Sequence, residues 1–298
     1  MHVSDYTIVI ATLDRPVLLR RSLLDLFQQT EPPAQVIVVD ASADDATARL
    51  CQELAAAGRP LTWQRAAARS AARQRNQGAA AATTALIGFV DDDVELPPDL
   101  FVKLLAPFRH DIAGHVGGVS GRIAGLAHHP PSRLLRLYYR CQAGYAHPTY
   151  AGRLFGAGIN CLPCYDEAEG AEFAVEWLNA GCTLFRRELF ERQQFPNFDE
   201  YSFMEDAHLS WRIGRTHRLL SIRDAVYVHI GASSNFKRDH VALARMRLRH
   251  RRMVARDLLG LGPVRLAWLF FLARVFETSV LLRARPPGWR AALRGVWS

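Results

Sequence analysis

From about residue 7 to residue 125, short continuous apolar runs alternate with longer stretches in which apolar side chains recur every three or four positions. The runs predict buried strands and the stretches predict helices laid over them; their alternation predicts βαβ units on a mostly parallel sheet. Strands are expected at 7–11, 36–39, 61–64 and 85–90, and helices follow at 16–27, 46–57, 66–82 and 98–109. Asp14 is expected to cap the first helix, with Pro16 in its first turn and Leu19, Leu23, Leu26 and Phe27 on its inward face. Gly58 is placed to close the second.

The pattern loosens further on. Strands are expected at 116–123, 175–178, 182–185 and 225–229, helices at 131–139 and 205–215, and a Gly-rich, weakly periodic stretch runs to residue 170. From residue 237 the chain reads as helical, broken at Gly260, Gly262 and Pro263. No internal repeat or long linker interrupts it. The expected organisation is a catalytic domain over 1–236, whose halves are 1–125 and 126–236, followed by a basic helical extension over 237–298.

Charge follows that division. The 298 residues carry 37 Lys and Arg against 29 Asp and Glu, a net +8, but residues 237–298 alone hold 14 basic and 3 acidic residues, leaving the remainder slightly acidic. A nucleic-acid partner for the whole chain is therefore not indicated. Five scattered cysteines point to a reducing compartment, and the start of the chain lacks a signal-peptide pattern, so an intracellular, cytoplasmic protein is expected.

In open α/β sheets, ligands bind beyond the carboxyl ends of strands. Thr12, Asp40 and the run Asp91-Asp92-Asp93 fall there. Three adjacent carboxylates repel one another unless a cation is shared among them, and Mg²⁺ or Mn²⁺ would be held by such oxygens together with substrate phosphates. A solvated acidic turn is the alternative reading of the same run.

The ordered set Thr7-Ile-Val-Ile-Ala-Thr12, Val36-Ile-Val-Val-Asp-Ala-Ser42, Arg75-Asn-Gln-Gly78 and Gly88-Phe-Val-Asp-Asp-Asp93 resembles the nucleotide-sugar-binding half of family 2 glycosyltransferases. Trp177-Leu-Asn-Ala-Gly181, Glu205-Asp206 and His229 continue the likeness. The resemblance implies a GT-A, Rossmann-like α/β fold and transfer of a hexosyl or deoxyhexosyl group, with inversion, from a nucleotide-diphosphate sugar to an acceptor hydroxyl. It implies that Thr12, Asp14, Asp40 and Ser42 line the base and ribose pocket, with Arg75 and Asn76 near the nucleotide or its diphosphate. Asp91 would face the ribose, Asp92 would be its neighbour, and Asp93 would ligate Mn²⁺ or Mg²⁺ with His229. Asp206, beside Glu205, would be the general base, and Trp177, Asn179 and Gly181 would shape the acceptor or donor pocket. Arg186 and Arg187 are read as a solvated helix start, and Cys161 and Cys164 as inert thiols. The competing class is a GT-A-like protein that has lost activity and binds membrane or nucleic acid through its basic tail.

Within that tail, residues 266–282 form the most apolar window of the chain. They are short for a membrane span and include Arg274 and Glu277, which share a helical face with Thr278. With flanking arginines and Trp268, Trp289 and Trp297, the window is expected to form an amphipathic helix lying on anionic lipid, peripheral on the cytoplasmic face of the inner membrane. Packing on protein is the alternative.

Overall fold

The computed structural model describes residues 5–126, 128–163, 170–197, 203–231 and 239–298. They form two compact units, one of residues 1–127 with 165–231 and one of residues 128–164 with 232–298. Residues 128–164, grouped by the sequence with the catalytic half, thus assemble with the C-terminal helices.

The first unit is built on a nine-stranded sheet. Its opening strands are β1 (Tyr6–Thr12), β2 (Gln35–Asp40), β3 (Leu61–Arg65) and β4 (Leu86–Val90), followed by the short β5 (Val94–Glu95) and β6 (Val116–Ile123). In chain order, α1 (Pro16–Phe27), α2 (Ala46–Ala56), α3 (Ala71–Ala79) and α4 (Leu100–His110) connect them. The unit resumes with β9 (Glu172–Val175), β10 (Cys182–Arg186), α6 (Arg187–Arg192), α7 (Glu205–Gly214) and β11 (Arg218–His229). The order across the sheet is β3-β2-β1-β4-β10-β6-β11-β5, with β9 also on β11. The pairings of β1 with β2 and β4, of β2 with β3 and of β6 with β11 are parallel; β10 is inserted antiparallel between β4 and β6. The carboxyl ends of β1, β2, β3, β4, β6 and β11 therefore lie at one edge, where β10 begins.

Both faces of the sheet are covered, which is why its strands read as continuous apolar runs. Ile8, Ile10, Val36 and Val38 pack into one core with Leu19, Leu23 and Leu26 of α1 and Leu104 and Phe108 of α4. The alternate residues Val9, Ile37, Val39 and Phe89 pack into a second core with Ala72 of α3 and Leu209 and Ile213 of α7. Each such fully buried Leu, Ile, Val or Phe side chain stabilises the fold by roughly 1.5–3 kcal/mol. Gly78 lets α3 lie directly on the sheet, because a Cβ there would come 2.5 Å from Val9 Cγ1.

Four elements differ from expectation. The helix expected over 66–82 is confined to α3, because the chain before it is held as a loop in which Ala67 N–H donates to Gln77 Oε1. The strand expected at 175–178 lies earlier, as β9, and residues 176–179 leave the sheet. The last strand begins at Arg218, since its first half pairs with β6 and β9. Asp14 does not cap α1: it adopts a left-handed backbone conformation (φ 55°), its amide donates to Ser42 Oγ, and its carboxylate accepts from Ala43 N–H.

The second unit contains α5 (Arg133–Ala143), the hairpin of β7 (Leu154–Phe155) and β8 (Ile159–Asn160), α8 (His240–Asp257), α9 (Pro263–Ala284) and α10 (Trp289–Trp297). Its core joins Leu248 and Ala255 of α8, Leu266, Leu269, Phe270 and Ala273 of α9, Val296 of α10 and Ala157. Gln142 is wholly buried and ties α5 in, donating to Leu269 O and accepting from Ala157 N–H. The polar stripe of α9 is not turned to solvent. Arg274 donates to Val296 O, and Thr278 accepts from Trp297 Nε1, so α10 covers it. The exposed side of α9 instead presents Val264, Trp268, Phe271, Val275 and Leu282. No helix among the described residues is long and apolar enough to cross a membrane.

Candidate functional site

β4 delivers Asp91, Asp92 and Asp93 to the edge where the parallel strands end, and the three side chains then diverge. Asp92 turns inward, accepting hydrogen bonds from Thr12 Oγ1 at 2.7 Å and Arg15 Nη1 at 3.2 Å. Burial raises its carboxyl to about 6, opposed by the bonds from Thr12 and Arg15 and assisted by its aspartate neighbours. Asp92 and Thr12 thus lock the β1 end to the β4 end. Arg15, which the sequence reading did not single out, also reaches Asp93 Oδ2 at 3.6 Å.

Asp91 and Asp93 turn the other way. β5 zips onto the end of β11, pairing Val94 with His229, so that the imidazole arrives over the two carboxylates. His229 Nε2 lies 3.6 Å from Asp91 Oδ2 and 3.4 Å from Asp93 Oδ1. One ligand atom from each of the three residues lies within 4.8 Å of the others. Two carboxylate oxygens and an imidazole nitrogen form a donor set suited to a small divalent ion such as Mn²⁺. Burial would raise the Asp91 carboxyl, but His229 and Arg75 outweigh it and hold it below the ordinary range.

Arg75 links this cluster to the second acidic pair. Its Nη2 donates to Asp91 Oδ1 at 2.8 Å and its Nη1 to Glu205 Oε1 at 2.9 Å, while the guanidinium lies over the Phe195 ring. The Arg75 side chain is buried between the two acids and is therefore fixed by protein carboxylates. Glu205 and Asp206 open α7 after Met204, whose left-handed backbone (φ 63°) turns the chain into the helix. Burial, and then the charge of Glu205, raise the Asp206 carboxyl to about 7, although amides of Ala207 and Ala180 and the Arg75 charge oppose the shift. A carboxyl poised near neutrality suits general-base work.

Asn179 and Gly181 sit where β10 begins. Asn179 Oδ1 accepts from Tyr227 Oη at 2.8 Å, and Asp91 N–H donates to Gly181 O at 3.1 Å. A Cβ on Gly181 would stand 2.5 Å from Tyr227 Oη and 3.4 Å from Asp91 Oδ2, so the residue must be small there. Trp177 is buried in the loop before it.

Other residues expected to touch ligand have protein tasks. Asp40 is wholly buried, accepting from Ser42 N–H at 2.8 Å and Trp63 Nε1 at 3.2 Å, with Arg65 Nη1 at 3.7 Å. It orders the ends of β2 and β3 and presents no oxygen to solvent. Asn76 is likewise engaged at both ends of its amide, by the Phe195 carbonyl and N–H. The Thr12 hydroxyl is committed to Asp92, and Ser42 Oγ holds the Asp14 amide. Arg186 and Arg187 lie away from the acids and bind Asp111 and Glu191. Cys161 is a buried thiol pushed up to about 11 by burial, and Cys164 lies outside the described residues.

Gln74, Trp63, Arg65 and Tyr227 are site-shaping residues that sequence reasoning missed. The strand-end rule that found Asp40 applies equally to Arg65, its register partner at the end of β3. Gln74 Nε2, donating to Thr12 O and Val39 O, carries no comparable signal.

A sheet of this order, with paired acids and a histidine beyond its parallel strands and a second acidic pair opening a helix beside them, is the GT-A arrangement. Residues 7–157 match Glycosyl transferase family 2, and the chain belongs to that family. Similar solved structures include the mannosyltransferase PcManGT from Pyrobaculum calidifontis in complex with GDP-Man and Mn²⁺, at 16% identity and TM-score 0.54. That alignment covers 98% of this chain and 84% of the other. GalNAc-T7 with UDP, GalNAc and Mn²⁺ aligns at 14% identity and TM-score 0.58, over 81% of this chain and 50% of that one. No curated protein matches the sequence.

Proposed function

We propose that the chain transfers a hexosyl or deoxyhexosyl group from a nucleoside-diphosphate sugar to an acceptor hydroxyl, with inversion at the anomeric carbon. The observation that carries this reading is the Arg75 bridge, which joins an Asp91-Asp93-His229 cation site to the acidic pair containing Asp206. The solved structures of similar fold, with GDP-Man or UDP and with Mn²⁺, support the donor class and the metal.

Asp91, Asp93 and His229 would hold Mn²⁺ or Mg²⁺, which supplies positive charge to the diphosphate leaving group when bound. Arg15, beside Asp92 and Asp93, adds cationic charge at the same edge. Arg75 positions Asp91 and Glu205 rather than clamping phosphate. Asp206 accepts the proton of the acceptor hydroxyl as that oxygen attacks the anomeric carbon. The bond from that carbon to the diphosphate oxygen breaks with its electron pair on the leaving group. One such displacement inverts the configuration. Measuring the anomeric configuration of the product tests the proposal; retention would overturn it.

The second unit supports a location for this chemistry. It holds 18 basic and three acidic residues and exposes Trp268, Phe271 and Trp297. Our reading is that it rests on an anionic membrane at the cytoplasmic face, where acceptors for surface polysaccharide or glycolipid synthesis are found. Co-sedimentation with anionic vesicles tests it: Trp268→Ser with Phe271→Ser should weaken binding, and full retention by the double variant would contradict it.

A further inference from the structure

Residues 128–164 contain four arginines and no acidic residue. Three of the arginines, Arg133, Arg136 and Arg140, recur at positions i, i+3 and i+7 of α5, which puts them within an arc of about 60° on one side of the helix. All three are exposed, and the exposed Leu137 flanks them. With His147 and Tyr150 they line a cleft of about 470 Å³.

The cleft has a firm frame. α5 is anchored at its other side by the buried amide of Gln142. Tyr150 is fully buried among Tyr139 and Phe155 and donates from its hydroxyl to Tyr145 O at 2.7 Å. The backbone amides of Thr149 and Tyr150 both donate to His147 Nδ1, at 3.3 and 2.8 Å. In the neutral ring the proton is therefore on Nε2, a donor.

Three guanidinium groups on one helical face repel one another, and a carboxylate neighbour would ordinarily offset this. None of the residues lining the cleft is acidic, and no ion pair among the described residues engages these arginines. What would balance them is an anion able to accept several N–H bonds at once, and the planar Arg fork matches phosphate oxygens bidentately. The volume exceeds what a lone phosphate needs and falls in the range of small-molecule sites. The exposed Leu137 offers apolar surface to whatever the phosphate is attached to.

We propose that this cleft is a phosphate-binding site, distinct from the acidic cluster at the sheet edge, that takes a terminal phosphate or diphosphate group through Arg133, Arg136 and Arg140. The phosphate belongs either to a soluble phosphorylated molecule or to a lipid headgroup. Both sources are tested on the full chain in EDTA, which keeps metal-dependent binding elsewhere out of the measurement. Inorganic pyrophosphate is titrated calorimetrically, and phosphatidylcholine vesicles with and without phosphatidic acid are co-sedimented with the protein.

The double variant Arg136→Gln with Arg140→Gln alters exposed side chains only. Its control is Arg283→Gln with Arg290→Gln, an equal loss of charge from exposed positions of α9 and α10. The proposal expects at least about a tenfold loss of affinity for one probe in the cleft variant, with the control within about twofold of the parent. Loss for pyrophosphate identifies a soluble ligand, and loss for phosphatidic acid identifies a lipid headgroup. Equal losses in the two variants, undiminished binding by the cleft variant, or no binding of either probe by the parent overturns it.

Discussion

Asp206 is where residue-level chemistry is most exposed to test. Its carboxyl stands near 7 against an ordinary 3.8 because burial and Glu205 disfavour the charge. Turnover should therefore rise with pH through about 7 and level above it, as the base loses its proton. Stability should move oppositely. The folded state prefers the protonated carboxyl, so this contribution is present at pH 4 and is lost as pH rises through about 7. Asp206→Asn should abolish transfer while retaining donor binding, and should raise Tm at pH 8 by about 2–4 °C, with less gain at pH 5. Retained turnover, or a gain in Tm that does not grow with pH, would contradict the assignment. Gly181→Ala should lower both turnover and Tm, because the added methyl meets Tyr227 Oη and crowds Asp91. The residue types and their order singled out Asp93 and His229 as possible metal ligands, and the structure sets Asp91, expected to face the ribose, beside them. Type and order did not reveal that Asp40, Asn76 and Thr12 are occupied by the protein, because side-chain direction depends on neighbours such as Trp63, Phe195 and Asp92 that lie far off in sequence.

At the scale of elements, β1, β2 and β4 were legible because burial on both faces demands unbroken apolar runs, and α1 because its apolar spacing is regular. β9 and the first half of β11 were not, since both lie near the sheet margin and carry polar side chains among their apolar ones. The shorter α3 has the same lesson: Ala and Arg favour helix throughout 66–82, but a tertiary bond from Ala67 to Gln77 holds its first residues out. α3 carries a further prediction. Gln74 is buried and donates to Thr12 O, the last carbonyl of β1, and to Val39 O, the last but one of β2. Gln74→Ala leaves those carbonyls without that donor and should cost about 1–3 kcal/mol in chemical unfolding. A cost near zero would mean that water replaces the amide and that the strand ends are not tied through α3.

For the molecule as a whole, the net charge of +8 conceals a division that residue counts along the chain found only in part. Residues 128–164 join the basic C-terminal helices, so the cationic unit is larger and more strongly charged than the tail alone. Sequence periodicity rightly saw a polar stripe on α9, but not that α10 folds back over it and leaves apolar side chains outward. If this unit rests on anionic lipid, binding to vesicles containing phosphatidylglycerol should fall steeply between low and physiological salt, and neutral vesicles should bind little. Salt-insensitive binding would contradict an electrostatic contribution.

Asp91, Asp93 and His229 are proposed to hold a divalent ion that also supports binding of a nucleoside diphosphate. Calorimetric titration of the full chain with GDP and with UDP, in Mn²⁺ and in EDTA, tests it most directly. Binding of at least one nucleotide should depend on Mn²⁺ and fall about tenfold or more in Asp93→Ala. Equal affinity in EDTA, or in the Asp93→Ala chain, would contradict it.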